Sequence, residues 1–287
     1  GLICGYLGLV LSRPTINTPP VISWSRSKGP LFPMLFVFIA CGAVSGFHSL
    51  IASGTTSKQL DSEINAKKIG YGAMVVEGSL ALLALMCVTA GLYWSKVGGI
   101  NTSDCYPELL KTGDWIGTFG RGYGHIVEKL TGFTFGCLIA ITTLNAFVMT
   151  TLDTATRISR YITEELFGEK LRIFKNRFLS TIVVVFFAAL LAFGSWKVIW
   201  PVFGASNQLV AAMAMLIVTL WLINKKKNYL YTLLPAVFML IVTTTALAYQ
   251  FCGFLLDRNY LLSIISLLLI LLSVVLIFET LKFKTAE

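Results

Sequence analysis

The sequence predicts an all-α integral membrane protein, and three observations predict it. The mean hydropathy of the 287 residues is +0.77 and only 13% of them are charged, about half the charged share of a soluble domain. The charges are bunched, and between the bunches lie apolar runs of about 20 residues, the length a helix needs to cross a ~30 Å hydrocarbon core. The runs are continuous and lack period-2 alternation, which implies helices rather than a barrel.

The elements follow in order. Residues 1–11 are apolar and stop at Arg13-Pro14. That is about half a membrane span, so the first helix is expected to be truncated and the N-terminal half of the protein to be absent. Residues 12–30 are polar with several prolines. Seven full spans are expected near residues 31–53, 69–94, 132–152, 179–199, 203–223, 230–252 and 260–281. Residues 54–68 form a short charged connection, and 95–131 a long, Gly-rich one. Residues 153–178 form a strongly basic connection, and 200–202 a tight turn with Pro201. Three regions result: residues 1–30, with the truncated helix and an external loop; 31–225, a membrane-embedded core; and 226–287, a C-terminal helical pair with its tail.

Loop charge orients the spans. Fourteen of the 23 Lys and Arg residues lie in 54–68, 153–178, 224–229 and the tail. Every second connection is therefore the basic one, as the positive-inside rule requires of alternating spans. The tail, the Asn224–Tyr229 loop and the 153–178 loop are expected on the cytoplasmic side, and 95–131 outside. Arg157 and Arg160 directly follow a span, as snorkelling anchors do.

The net charge of +9 fits basic loops beside anionic lipid. No basic patch interleaved with aromatics appears, so nucleic acid is excluded as a partner and membrane lipid is expected. Six cysteines, Cys4, Cys41, Cys87, Cys105, Cys137 and Cys252, form no CxxC and no metal spacing. Cys105 and Cys252 both fall on the expected outer side, where they could pair. The sequence has no G-x-S-x-G, H-E-x-x-H or P-loop, and His125 has no obvious nucleophile partner. Neither an enzyme nor a cofactor is expected.

Three polar stretches interrupt the apolar spans. In the first, Gly42 and Gly46 and the hydroxyls of Ser45, Ser49 and Ser53 share a stripe at i, i+4 spacing. Small stripes of this kind also pack helices. His48 lies within this span, where an ionisable group marks function by default, the alternative being a bond to a neighbouring carbonyl. Gly54-Thr55-Thr56 could end the helix early and free carbonyls and hydroxyls to line a cavity. The second is Glu77, about two turns into a span. An ionised carboxylate is costly there, so the group is expected to be neutral, paired or facing water, and to suit proton coupling. A bond to a neighbouring helix is the alternative. In the third, Thr143, Thr150 and Thr154 share a face, with Asn145, Thr151 and Asp153 near. These oxygens suit Na⁺ or a polar substrate, although threonine hydroxyls in membrane helices often bond back to i−4 carbonyls. Asp153 is also placed to pair with Arg157 at i+4. A fourth feature is Trp200-Pro201, an interfacial anchor before a helix start. Asn207 and Gln208 follow it, and they are read as inter-helix glue ahead of ligands.

These stretches resemble the carbon starvation protein A family of bacterial inner-membrane peptide transporters. The resemblance rests on the run from Leu31 to Thr56, on Ile69-Gly-Tyr-Gly-Ala-Met with Glu77, on Thr150-Thr-Leu-Asp-Thr-Ala-Thr-Arg157, and on Trp200-Pro-Val-Phe-Gly-Ala-Ser-Asn-Gln208-Leu. It covers about residues 30–225. Ser57 stands where a proline is expected and Lys67 where an arginine is, both in a connection. The resemblance implies import of a small polar substrate, peptide or pyruvate, across the bacterial cytoplasmic membrane, driven by H⁺ or Na⁺. It further implies kinship with the leucine-transporter-like inverted-repeat fold. Under that kinship span 31–53 would be broken at the substrate site, and span 132–152 would serve an ion. The missing N-terminal half would supply the other broken helix. The alternative function is a non-transporting membrane sensor or scaffold that retains the transporter fold.

Overall fold

The computed structural model of the protein describes residues 1–19, 21, 23–26, 29–94, 104–169, 171, 174, 176–193 and 196–285. Part of the long Gly-rich connection, residues 95–103, lies outside that set, as do Lys170, Arg172 and Lys175 of the basic one. The chain is helical almost throughout. Its helices are α1 (Leu2–Ser12), α2 (Phe36–Ala43), α3 (Gly46–Ile51), α4 (Ser57–Gln59), α5 (Glu63–Thr89), α6 (Tyr106–Thr112), α7 (Trp115–Thr131), α8 (Phe133–Phe167), α9 (Arg177–Phe193), α10 (Trp196–Asn224), α11 (Leu230–Leu256) and α12 (Tyr260–Thr285). Wider π-helical turns occupy Leu31–Leu35 and Ala52–Thr56, and a two-residue hairpin pairs β1 (Ser25–Arg26) with β2 (Gly29–Pro30).

Four helical stretches are long and apolar enough to cross a membrane: Glu63–Thr89, Phe133–Phe167, Ile199–Asn224 and Leu230–Leu256. Leu2–Ser12, Arg177–Phe193 and Tyr260–Val275 are shorter apolar helices. Large apolar side chains stand exposed along α5 (Met74, Val75, Val76), α8 (Phe147, Val148, Met149) and α9 (Val185, Phe186, Phe187). In water such continuous faces would be unstable. In a bilayer they are the surface that lipid covers.

The chain divides into two compact units. The first comprises Gly1–Ile22 and Leu60–Ala155. Its α5 opens on Ser62, whose hydroxyl accepts from Ile64 N, with Glu63 in the first turn, where a negative charge complements the helix dipole. Upstream, Asn65 Nδ2 donates to Asp61 at 2.9 Å, and that bond holds the Asp61 carboxyl below its ordinary pKa. The 95–131 connection is not simply a loop, since it contains α6 and α7. Asp114 caps α7 by accepting from Gly117 N at 2.8 Å. Tyr123, Ile126 and Val127 then form an i, i+3, i+4 stripe, buried with Leu83, Cys87 and Ala140. Gly122 is required here: a Cβ on it would collide with the Cys87 carbonyl of α5. The stretch reads as mixed because one face is apolar while the opposite face carries its charges.

The second unit comprises Ser23–Gln59 and Thr156–Glu287. Its centre is α10 against α11, with Leu209, Ala211, Ala212 and Leu216 packed on Ala236, Met239 and Leu240. Met34 and Val37 pack on Ala205, Ala246 and Leu247. The turn expected at 200–202 is absent, because Pro201 lies inside α10. Proline removes one intrahelical bond, and so close to the helix start that loss does not stop propagation. Gln250 Nε2 of α11 donates to the Pro201 carbonyl at 3.1 Å. Helix α8 also runs to Phe167, well past the boundary expected at 152. Cys105, buried in the first unit, and Cys252, exposed in the second, are free thiols and do not pair.

Candidate functional site

The span expected over 31–53 is interrupted. Helix α2 ends at Ala43, α3 begins at Gly46, and Ser45 between them is extended, with φ −98° and ψ 127°. A helix end leaves its last carbonyls, and a helix start its first N–H groups, without intrahelical partners. Two side chains meet the N–H groups. Ser45 Oγ accepts from His48 N at 3.4 Å, and Asn207 Oδ1 of α10 accepts from Phe47 N at 2.7 Å. Asn207 Nδ2 in turn donates to Ser45 Oγ at 3.0 Å. Asn207 is only 6% exposed, so these bonds form in a shielded environment where an unpaired group is expensive.

The next residue on α10 completes the attachment. Gln208 Nε2 donates to the Phe36 carbonyl at 2.8 Å, and Thr243 Oγ1 of α11 donates to Gln208 Oε1 at 3.2 Å. Asn207 thus holds the start of α3 while Gln208 holds the start of α2. Gly46 lets α3 reach α10, because a Cβ there would strike the Asn207 carbonyl and the Val210 side chain. The adjacent Asn-Gln pair was visible in the sequence. Its partners, Ser45 and the Phe36 carbonyl, were not, because they lie about 160 to 170 residues away.

The remaining residues of the first stretch stay on or beside this helix. His48 is exposed, with its ring edge-on to Phe47 at 5.7 Å. Ser49 Oγ donates to Gly46 O at 2.6 Å and Ser53 Oγ to Leu50 O at 3.2 Å. The helix does not end at Gly54-Thr55-Thr56. It widens into the π-helical turn Ala52–Thr56 and continues into α4, with Ser57 Oγ donating to Ser53 O at 2.8 Å. Gly54 is exposed and faces open space, and Thr56 is half-buried. Thr55 Oγ1 is buried without a hydrogen-bond partner.

Glu77, Asn145, Thr150, Thr151, Asp153 and Thr154 belong to the first unit. Glu77, Asn145 and Asp153 are exposed. The threonines bond back along α8: Thr143 Oγ1 to Ile139 O at 2.6 Å, Thr150 and Thr151 to Phe147 O at 2.8 and 3.2 Å, and Thr154 to Thr150 O at 3.1 Å. Among the described residues no group of three or more His, Cys, Asp and Glu could hold a metal ion.

Sequence comparison places this geometry in a family. The chain matches the family described as carbon starvation protein CstA over residues 1–104 and 106–246. It is 31% identical to the pyruvate/proton symporter BtsT of Escherichia coli over 329 aligned residues, covering 86% of this chain and 45% of that protein. It is 30% identical to the peptide transporter CstA of Helicobacter pylori (83% of this chain, 43% of the relative) and 29% identical to that of Escherichia coli (86% and 44%). The chain spans less than half the length of these relatives, and no solved structure matches it. The matched region takes in α2, the Val44–Ser45 interruption, α3 and the Asn207-Gln208 pair that holds them. By that match this multi-pass membrane protein belongs to the carbon starvation protein CstA family.

Proposed function

We propose that the chain forms part of a secondary active transporter that imports a small polar substrate, a peptide or pyruvate, across the bacterial cytoplasmic membrane, coupled to H⁺ or Na⁺. The observation that carries this reading is the interrupted α2–α3 span. In a bilayer, non-helical backbone is tolerated only where protein or a water-filled cavity surrounds it, and discontinuous helices build transporter sites near the midplane. Ser45, His48, Ser49 and Asn207 are the polar side chains at and next to the interruption. Ser53, Gly54, Thr55 and Thr56 continue the same path. Asn145, Thr150, Thr151, Asp153 and Thr154 would serve the coupling ion by turning hydroxyls away from their own helix, and Glu77 would carry a proton. The names of the relatives support transport, one of them with proton coupling. They also point to a non-enzymatic role.

Seven spans with a cytoplasmic C-terminus, arranged as part of a leucine-transporter-like inverted repeat, are the architecture that fits this function best. The rest of the substrate site would come from the portion of the relatives' length that this chain does not match. Uptake of labelled peptides and pyruvate into proteoliposomes tests the reading. Accumulation that collapses with the proton or sodium gradient supports it. Absence of gradient-driven uptake for every substrate would replace it with a sensor or scaffold. Glu77→Gln is expected to abolish uptake with expression unchanged, and normal uptake in that variant removes Glu77 from coupling.

A further inference from the structure

His125, on α7, is used by none of the chemistry above, yet it sits between two carboxylates. Its Nε2 lies 3.5 Å from Asp104 Oδ2 and its Nδ1 3.7 Å from Glu128 Oε2. Asp104 also accepts from Arg121 Nη1 at 2.8 Å. The Nε2 atom is shielded from solvent and has no hydrogen-bond partner. From α8, the Phe133 ring packs on the imidazole at 4.6 Å. Cys137 of α8 also lies close, since a Cβ on the adjacent Gly124 would meet its sulfur, and the exposed Lys129 follows at i+4.

Neutral imidazole has one N–H and one bare lone pair. With a carboxylate facing each nitrogen, one carboxylate always confronts the lone pair. Imidazolium has two N–H groups and matches both. With the imidazole neutral, Asp104, Glu128 and Arg121 together carry a net −1, which one proton cancels. Position gives this proton mechanical reach. Asp104 O accepts from Tyr93 N at 3.2 Å just beyond α5, and Tyr106 N donates to Tyr93 O at 2.8 Å at the start of α6. Trp94 and Tyr106 stack at 4.4 Å. The Asp104 side chain therefore ties the start of α6, and Tyr93 paired with it, to α7.

We propose that His125 is a proton-binding site whose charged form clasps Asp104 and Glu128 and so locks the start of α6 onto α7. The proton comes from solvent and forms one N–H bond, and its release reopens the clasp. The lock is closed where the imidazole carries its second proton, with an N–H toward each carboxylate, and opens where that proton is lost. Hydrogen exchange of the backbone amides of residues 104–112, corrected for intrinsic rates, tests this in the intact protein in detergent. Protection is expected to be about tenfold higher with the imidazole protonated than with it neutral, a step read across a pH series, on the scale of one charge-assisted hydrogen bond. His125→Gln and Asp104→Asn should each flatten that profile, whereas the fixed cation of His125→Arg should keep protection across the series. A flat profile in the unmodified protein, or an unchanged slope in His125→Gln, overturns the proposal. Should His125→Gln fail to fold, Asp104→Asn alone decides, because the proposal requires its slope to vanish as well.

Discussion

Two glycines eight residues apart show how much a single position can carry. Gly46 and Gly54 lie in one small-residue stretch and look alike in the sequence. In the structure Gly46 is the point where α3 touches α10, and a methyl group there would meet the backbone of Asn207. Gly54 faces open space. Gly46→Ala is therefore expected to cost about 1–3 kcal/mol, the scale of an overpacked contact, and to lower the midpoint of thermal unfolding in detergent by several degrees. Gly54→Ala should leave it unchanged. Equal shifts in the two variants would mean that α3 does not seat on α10 through Gly46. Ser45 and Asn207 illustrate a related point. The serine was recognisable as polar in a span, but its role as the cap of α3 depends on an amide that arrives from α10.

At the scale of elements, α10 acts as the fastening for a helix that cannot continue by itself. The interruption at Val44–Ser45 leaves the first N–H groups of α3 without intrahelical partners, and Asn207 of α10 meets one of them, while the adjacent Gln208 ties the first residue of α2 to α10. Gln208 is fully buried and bridges three helices through Phe36 O and Thr243 Oγ1. Gln208→Leu keeps roughly the volume but strands those two partners. A loss of about 1–3 kcal/mol is expected, visible as faster proteolysis across residues 31–59 and a lower unfolding midpoint. Unchanged proteolysis would assign the fastening to Asn207 alone. The threonines of α8 behave differently. Their hydroxyls are bonded within their own helix, as threonine does in apolar surroundings, so their substitution by valine is expected to be mild for folding. Helix α7 was hidden in a connection because its apolar stripe is short and half its turns carry glycine. Burial of that stripe against α1, α5 and α8 is a property of assembly rather than of composition.

For the whole molecule, the apolar faces of α5, α8 and α9 and the alternation of basic connections belong together. Orientation by loop charge makes a prediction at this scale. In a background with all six cysteines replaced by serine, Lys226→Cys should react with a membrane-impermeant thiol reagent only after the cells are permeabilised. A cysteine at Asn259, in the next connection, should react in intact cells. The reverse pattern would invert the orientation of the chain. The two units carry different parts of the candidate chemistry, with the helix interruption in Ser23–Gln59 and Thr156–Glu287, and Glu77 and the α8 threonines in the other unit.

The sequence by itself determined the membrane environment, the helical class, the approximate positions of most helices and membership of the carbon starvation family. These follow from apolar run length, charge bunching and ordered local motifs, all of which act over neighbouring residues. Only the tertiary structure decided that the second span breaks at Val44–Ser45 rather than at Gly54–Thr56. It also decided that Pro201 lies within a helix, that Asn207 holds the break while Gln208 holds the start of α2, and that His125 stands between Asp104 and Glu128. Those outcomes depend on which distant backbone groups each side chain reaches, and packing, not local periodicity, sets that pairing.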